Sequence, residues 1–243
     1  MRPARACATE AAGRDLQIGG VAPFSAVDFP GRLAAVVFCQ GCPWRCRYCQ
    51  NPHLLPRAQT QVLWADVLAL LKRRRGLLDA VVFCGGEPTL HTGLREAMGA
   101  ARALGFAVGL HTAGPYPGRL KALLPYLDWI GMDIKAPFAD YARITGARGS
   151  GDKARKSAEL VLASGIAHEF RTTVHPLLLD RAQVLALARE LVALGAERYV
   201  LQTFRAIGCA DTELVNTSDL AFVDATLCME LRALFPHFSV RTG

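Results

Sequence analysis

Phe38-Cys39-Gln40-Gly41-Cys42-Pro43-Trp44-Arg45-Cys46-Arg47-Tyr48-Cys49-Gln50-Asn51-Pro52 follows directly on an apolar, strand-length run and sets Cys42, Cys46 and Cys49 at Cys-x3-Cys-x2-Cys spacing. Three thiols within eight residues are too crowded for ordinary disulfide geometry, but they can converge on one metal centre if the backbone curls around it. Closed iron–sulfur clusters usually take four cysteines, and structural zinc takes four Cys or His ligands. A local set of three therefore leaves two readings: a [4Fe-4S] cluster with one open iron, or a Cys3His zinc knuckle completed by His53. Cys39 stands three residues before Cys42 and reads as strand-end packing.

Outward from this loop the chain alternates. Leu33 to Cys39 reads as a buried strand, preceded by an N-terminal strand or hairpin within Leu16 to Phe29. Apolar spacing then predicts helices over Trp64–Arg75, Gly93–Leu104, Leu120–Leu127, Lys153–Ser164, Ala182–Leu194 and Asp219–Phe235. Between and after them come short strands, Ala80–Phe83, Phe106–Leu110, Trp129–Ile134, Glu169–Val174, Arg198–Gln202 and Phe238–Arg241. Strands alternating with helices of ten or more residues imply parallel βαβ units, because a parallel pair needs a crossover connection. About six such units are visible, fewer than the eight of a closed barrel. The expected fold class is α/β: a partial (βα)6 TIM-like barrel, open on one side, with a short N-terminal extension. Residues 1–15 read as a poorly ordered tail and residues 16–243 as one domain.

In parallel barrels the active site lies at the C-terminal ends of the strands, and the polar words of this chain fall there. In turn these are the cysteine loop, Gly85-Gly86-Glu87-Pro88, His111-Thr112-Ala113-Gly114, Asp133-Ile134-Lys135, His175-Pro176 and Gln202-Thr203-Phe204-Arg205. Gly85-Gly86-Glu87-Pro88 alone fits an ordinary strand-to-helix turn. Asp133 and Lys135, alternating on a strand, share a face, where buried charges require partners; an ion pair with each other or with Glu87 is the plain reading. Arg171 sits on a similar inward face, while His175 and Gln202 read as structural hydrogen-bond partners.

Cys42-x3-Cys46-x2-Cys49, with Tyr48 before the last cysteine, resembles the cluster loop of the radical S-adenosylmethionine (SAM) superfamily. Phe24-Ser25-Ala26-Val27-Asp28-Phe29-Pro30-Gly31, Val37 to Cys42, Tyr48-Cys49-Gln50-Asn51-Pro52 and Arg171-Thr172-Thr173-Val174-His175-Pro176 are similar to the activating proteins of glycyl-radical enzymes. The likeness is nearest to those that serve anaerobic ribonucleoside-triphosphate reductase. The resemblance implies a [4Fe-4S] cluster on Cys42, Cys46 and Cys49 whose fourth iron is open to SAM. It implies SAM contacts from Tyr48 near the adenine, from Gly85, Gly86 and Glu87 at the amino group, and from Asp133 and Lys135 at the ribose and carboxylate. The implied chemistry is reductive cleavage of SAM to a 5′-deoxyadenosyl radical, which takes a hydrogen from a glycine of a partner enzyme, with no catalytic protein acid or base. The implied partners are anaerobic ribonucleotide reductase and a flavodoxin or ferredoxin-type reductant. His111 departs from the family's Asp at the start of its Asp-Thr-Asn-Gly word, which removes any role carried by that Asp.

Composition bounds the alternatives. The 243 residues, 51% apolar, suit one barrel-sized domain. No apolar run reaches the ~20 residues of a membrane helix, and the basic start lacks the apolar core of a secretory signal, so a cytoplasmic protein is expected. Eight cysteines, clustered or solitary, fit reduced thiols; Cys7, Cys84, Cys209 and Cys228 read as small buried hydrophobes. The net charge of +7 and pI near 9.2 permit an acidic partner. Lys72-Arg73-Arg74-Arg75 reads as a solvated helix end, and Arg143, Arg148, Lys153, Arg155 and Lys156 as a weak docking face. A pyruvate formate-lyase-type partner, a small-molecule radical SAM reaction such as deazapurine synthesis, and a zinc- or RNA-binding module are the rival functions. With 8% aromatic residues placed mostly in core-like positions, nucleic acid is not expected as a partner.

Overall fold

The computed structural model describes residues 15–57, 62–217 and 222–242. Its strands hydrogen-bond in chain order as one eight-stranded sheet: β1 (Ile18–Ser25), β2 (Ala34–Cys39), β3 (Ala80–Gly85), β4 (Ala107–Thr112), β5 (Trp129–Asp133), β6 (Ala167–Val174), β7 (Arg198–Thr203) and β8 (His237–Arg241). β1 is antiparallel to β2, whereas β2–β3, β3–β4, β6–β7 and β7–β8 are parallel. The crossovers are α1 (Trp64–Arg73), α2 (Leu94–Ala103), α3 (Pro117–Leu123), α4 (Tyr141–Thr145) with α5 (Ser150–Ala163), α6 (Arg181–Ala193), and α7 (Thr212–Asn216) with α8 (Ala225–Leu234). Six strand–helix units, preceded by an antiparallel strand, are the architecture expected from the alternation. The tail expected over residues 1–15 falls, apart from Asp15, outside the described residues.

The chain packs as two compact units. One takes the described residues up to Cys42, Leu54–Thr112 and Gly118–Ile130; the other takes Pro43–His53, Ala113–Pro117 and the chain from Gly131 onward. In the first, Phe29, Ala34, Val36, Ala80, Val82 and Trp129 form a buried cluster, the product of β-branched and small residues facing one another across register-matched parallel strands. In the second, Tyr141, Phe170, Tyr199 and Phe235 are wholly buried, and the Tyr199 and Phe235 rings stack at 4.8 Å. Glu169, also buried, is held by a two-pronged pair with Arg241 at 2.6 and 2.9 Å, which pins the last strand.

Several boundaries differ from the pattern for local reasons. The helix expected over Leu120–Leu127 starts earlier, at Pro117, and tightens to a 3-10 turn at Leu124–Tyr126, where Pro125 supplies no amide donor. The last long helix begins at Ala225, because Asp224 accepts from the Leu227 amide at 2.6 Å and caps it; residues 219–221 of the helix expected there lie outside the described residues. The short helix α4 has no clear periodicity and is absent from the sequence reading. α1 ends at Arg73, with Lys72 and Arg73 in its last turn, as expected for a solvated, dipole-complementing end.

Candidate active site

In the first unit, the cysteine loop departs from the end of β2 under backbone control. Gly41 N–H donates to Leu54 O at 2.7 Å and Cys42 N–H to Leu55 O at 3.1 Å. The neighbouring parallel strand β3 ends at Gly85, and Gly85 and the following Gly86 are pressed onto that departure. Gly86 N–H donates to Cys39 O at 2.8 Å and Glu87 N–H to Gly41 O at 2.9 Å. A Cβ on Gly85 would lie 2.5 Å from Cys39 O, and one on Gly86 would lie 2.4 Å from Gly41 O. The two glycines therefore let two strand ends share a backbone seam, which goes beyond an ordinary strand-to-helix turn.

Glu87 follows, 1% exposed, and Pro88 starts a 3-10 turn over Pro88–Leu90. Its Oε1 accepts from Thr89 N at 3.0 Å, Thr89 Oγ1 at 2.5 Å and Thr112 Oγ1 at 2.7 Å. A buried carboxylate needs such donors, and they fix its direction. Thr89 was missed in the sequence, and Thr112 entered only within the polar word at the end of β4, without this role; threonines two residues after Glu87 and at the end of β4 were the available signal. His111 Nε2 is hydrogen-bonded to Asp28 O at 2.9 Å and its ring stands edge-on to Trp129 at 5.2 Å. His111 thus holds the β1–β2 connection. Cys39 is wholly buried, and burial, followed by the nearby Cys84 and Glu87, pushes its thiol well up; a protonated, enclosed thiol fits packing.

The second unit carries the rest of the loop. Arg45 N–H donates to Thr145 O at 2.8 Å, and Trp44 stands edge-on to Tyr141 at 5.7 Å. β5 ends at Asp133, so Lys135 lies beyond the strand; the two still meet, Lys135 Nζ to Asp133 Oδ2 at 3.5 Å. Arg171, from β6, gives Nε to Asp133 Oδ1 at 3.0 Å and Nη2 to Gly131 O at 3.2 Å. One carboxylate therefore serves two buried cations. Lys135 Nζ also reaches Tyr48 Oη at 3.4 Å and lies 5.2 Å from the centre of its ring. Burial opposes the charge on Lys135, but the balance of its surroundings, in which Asp133 is the carboxylate beside it, raises its pKa. Burial likewise raises the Tyr48 hydroxyl, so a neutral phenol faces an ammonium. Tyr141, missed in the sequence, completes the group: Lys135 N–H donates to its Oη at 3.0 Å, and that hydroxyl donates to Asp133 O at 3.3 Å.

Among the other polar candidates, His175 is held by hydrogen bonds. His175 Nδ1 accepts from Leu177 N at 3.2 Å, so its Nε2–H donates to Leu214 O at 3.1 Å, and the ring packs edge-on to Phe204. Gln202 lies on β7 in register with Arg241. Of the basic cluster, Arg143 donates to Leu178 O and Gln183 Oε1 and Arg155 pairs with Glu159, so two of the five cations are engaged within the unit. Cys84, Cys209 and Cys228 are partly exposed rather than buried, which corrects the reading of them as core hydrophobes; Cys7 lies outside the described residues.

Cys42, Cys46 and Cys49 form no disulfide and each is partly accessible, and three such donors suit iron or zinc. Among the described residues no three His, Cys, Asp or Glu side chains stand ready-gathered as a metal-holding group. His53 is exposed on the 3-10 turn Pro52–Leu54. Among the described residues no helix is long and apolar enough to cross a membrane.

The model of the radical SAM superfamily matches residues 36–203, more than half of the chain and all of the strand ends above from β2 to β7. The chain belongs to the radical SAM superfamily. Among relatives of this radical SAM protein, a Methanocaldococcus jannaschii protein named as a glycyl-radical enzyme activating enzyme is 27% identical over 81% of this chain and 83% of its own length. The pyruvate formate-lyase-activating enzyme of Clostridium pasteurianum is 29% identical over 82% and 87%. The PqqA peptide cyclase of Xanthomonas euvesicatoria is 35% identical over 55% of this chain, which spans 37% of that enzyme. In fold, Streptococcus suis SuiB bound to its precursor peptide SuiA superposes with TM-score 0.65 at 15% identity, over 84% of this chain and 47% of SuiB. QueE from Escherichia coli gives 0.53 at 16% identity over 94% of both chains. The fold is that of the superfamily's partial barrels, as the six units lead one to expect. The chain is an enzyme of this superfamily, homologous to glycyl-radical enzyme activating enzymes.

Proposed function

We propose that this protein is an activase that generates a glycyl radical on a partner enzyme, using SAM bound to a [4Fe-4S] cluster on Cys42, Cys46 and Cys49. The observation that carries the reading is the seam at the strand ends: the cysteine loop leaves β2 over the Gly85-Gly86-Glu87 end of β3, within a chain aligned over four-fifths of its length with activating enzymes. When bound, cluster and SAM supply a one-electron cleavage of the sulfonium, giving methionine and a primary carbon radical able to take hydrogen from a glycine Cα.

The chain's own residues bind and orient. Glu87, fixed by Thr89 and Thr112, offers a preset carboxylate to the SAM ammonium. Lys135, kept charged by its neighbours, offers the counter-charge for the SAM carboxylate. Asp133, held in place by Arg171, keeps Lys135 directed and presents oxygens toward ribose hydroxyls. Tyr48 gives an apolar face beside the third cysteine for the adenine. No protein acid or base is required, so these side chains contribute positioning and exclusion of water.

The partner named by the motif words is anaerobic ribonucleoside-triphosphate reductase, with a flavodoxin or ferredoxin-type reductant. A pyruvate formate-lyase-type partner is a second reading, favoured by the Clostridium relative. The relative described as a peptide cyclase favours a peptidyl substrate over a small molecule. The test is anaerobic electron paramagnetic resonance on reconstituted protein with reductant, SAM and each candidate enzyme in turn. A doublet with one enzyme only, lost in Cys46→Ser, supports the reading and names the partner. 5′-Deoxyadenosine without any doublet moves the assignment to another substrate, and neither product from cluster-loaded protein refutes it.

A further inference from the structure

The second half of the cysteine loop is tied to a segment 155–166 residues further along the chain. Arg47, between the second and third cysteines, sends Nε to Asp211 Oδ2 at 2.7 Å and Nη2 to Glu213 Oε2 at 2.6 Å. Cys209 Sγ donates to Arg47 O at 3.4 Å, and Gln50 Nε2 donates to Arg205 O at 3.3 Å. Gly208, at φ +85°, lies so close that a Cβ there would stand 2.4 Å from Gln50 O. These contacts reach main chain and side chain on both sides of Cys49. The superfamily match ends at residue 203, just before this segment.

We propose that residues 205–213 are a clasp that sets the presentation of Cys46 and Cys49, with Arg47 as a positioning residue and Asp211 and Glu213 as its anchors. The inference rests on the reading of these cysteines as cluster ligands. Asp211 is already fixed, because it caps α7 by accepting from Leu214 N at 3.2 Å. Arg47 therefore docks on a pre-ordered carboxylate and loses less side-chain freedom than a typical surface pair. One guanidinium bridging two carboxylates is a small network, the case in which exposed ion pairs matter. Without it the Cys46–Cys49 turn would keep the turn bond from Cys49 N to Cys46 O, 3.1 Å, the bonds from Cys209 Sγ to Arg47 O and from Gln50 Nε2 to Arg205 O, and the Tyr48–Lys135 contact, but no ion pair.

The test begins with the full-length metal-free protein, pulsed with iodoacetamide under reducing, oxygen-free conditions, with alkylation followed by mass spectrometry at each cysteine. Arg47→Ala is expected to raise the rates at Cys46 and Cys49 by about three- to tenfold, and Glu213→Gln by about two- to fivefold, the range of exposed pairs. Cys42, held through Leu55, and Cys228 should keep their rates. Arg47→Ala with Glu213→Gln should exceed Arg47→Ala alone by little, since both remove one coupling. Arg47→Lys should recover part of the protection, and high salt should move wild type toward Glu213→Gln. In iron-loaded protein the same order should appear in the rate of cluster bleaching by a ferrous chelator. Unchanged rates in Arg47→Ala, equal increases at all cysteines, or fully additive effects would overturn the clasp. If Arg47→Ala fails to fold, Glu213→Gln decides alone. Failure to take up iron at all would count against the proposed function, while the alkylation arm would still judge the clasp.

Discussion

Gly86→Ala isolates the seam between β2 and β3. The added Cβ would stand 2.4 Å from Gly41 O, 2.9 Å from Gly41 C and 3.1 Å from Leu54 O, all main-chain atoms that no side-chain rotation can move aside. Relief requires the strand ends to part by several tenths of an ångström. That weakens the bonds from Glu87 N to Gly41 O and from Gly86 N to Cys39 O. Overpacking costs about 1–3 kcal/mol, and two weakened hydrogen bonds add about 1–2 kcal/mol. The total of about 2–5 kcal/mol corresponds to a fall in Tm of roughly 5–20 °C for a chain of this length. Gly20→Ala is the control, because nothing lies within 4 Å of a Cβ there and its backbone is in the ordinary region; it should melt within about 2 °C of wild type. The assay is thermal unfolding followed by circular dichroism, with SAM binding to cluster-loaded protein measured below both transitions. A Gly86→Ala protein that melts with the control would falsify the seam. So would one that melts low yet binds SAM as wild type does, for the role given to Glu87.

Lys135→Met should weaken SAM binding by about ten- to hundredfold, the scale of one charged hydrogen bond, while leaving Tm nearly unchanged because Asp133 keeps Arg171; equilibrium dialysis that finds equal affinity removes Lys135 from the site. Arg241→Ala strands the buried Glu169 and should cost about 3–5 kcal/mol. Adding Glu169→Gln should return a large part of that in urea unfolding; no recovery would mean that the pair is not what holds β8. His91 binds Gln40 O through Nε2 at 2.8 Å and is buried, and burial, only partly offset by its hydrogen bonds, lowers its pKa. The unfolded histidine, at about 6.5, then binds the proton first. Stability is fully present above about pH 6.5 and is lost as pH falls toward the lowered folded value. His91→Gln should flatten urea-midpoint curves across that window, and an unaltered slope would assign the dependence to other groups.

The strand ends were legible because chemistry and pattern coincide there: cysteines, glycines and acids interrupt apolar runs where a parallel strand must stop. The pairing of Asp133 with Lys135 was legible from their spacing, though β5 ends before Lys135 and the contact is made by long side chains. Glu87 was legible as a word but not as a geometry, since Thr112 lies 25 residues away on another strand. Tyr141 was hidden in a short helix of five residues, below the length at which periodicity speaks. His111 shows the limit from the other side: as a departure from a motif it was noticed, but its bond to Asp28 O across 83 residues belongs to folding alone.

By itself the sequence determined the class of fold, the superfamily and the three thiols, because each is written in local spacing: period-two and period-3.6 apolarity, and Cys-x3-Cys-x2-Cys. Only the tertiary structure decided what holds those residues in place. Two glycines press β3 onto the loop's departure, one carboxylate steadies Arg171 and Lys135, and Asp211 with Glu213 grips Arg47. These are contacts between residues far apart in the chain, and no local periodicity records which distant partner a buried or charged group will meet.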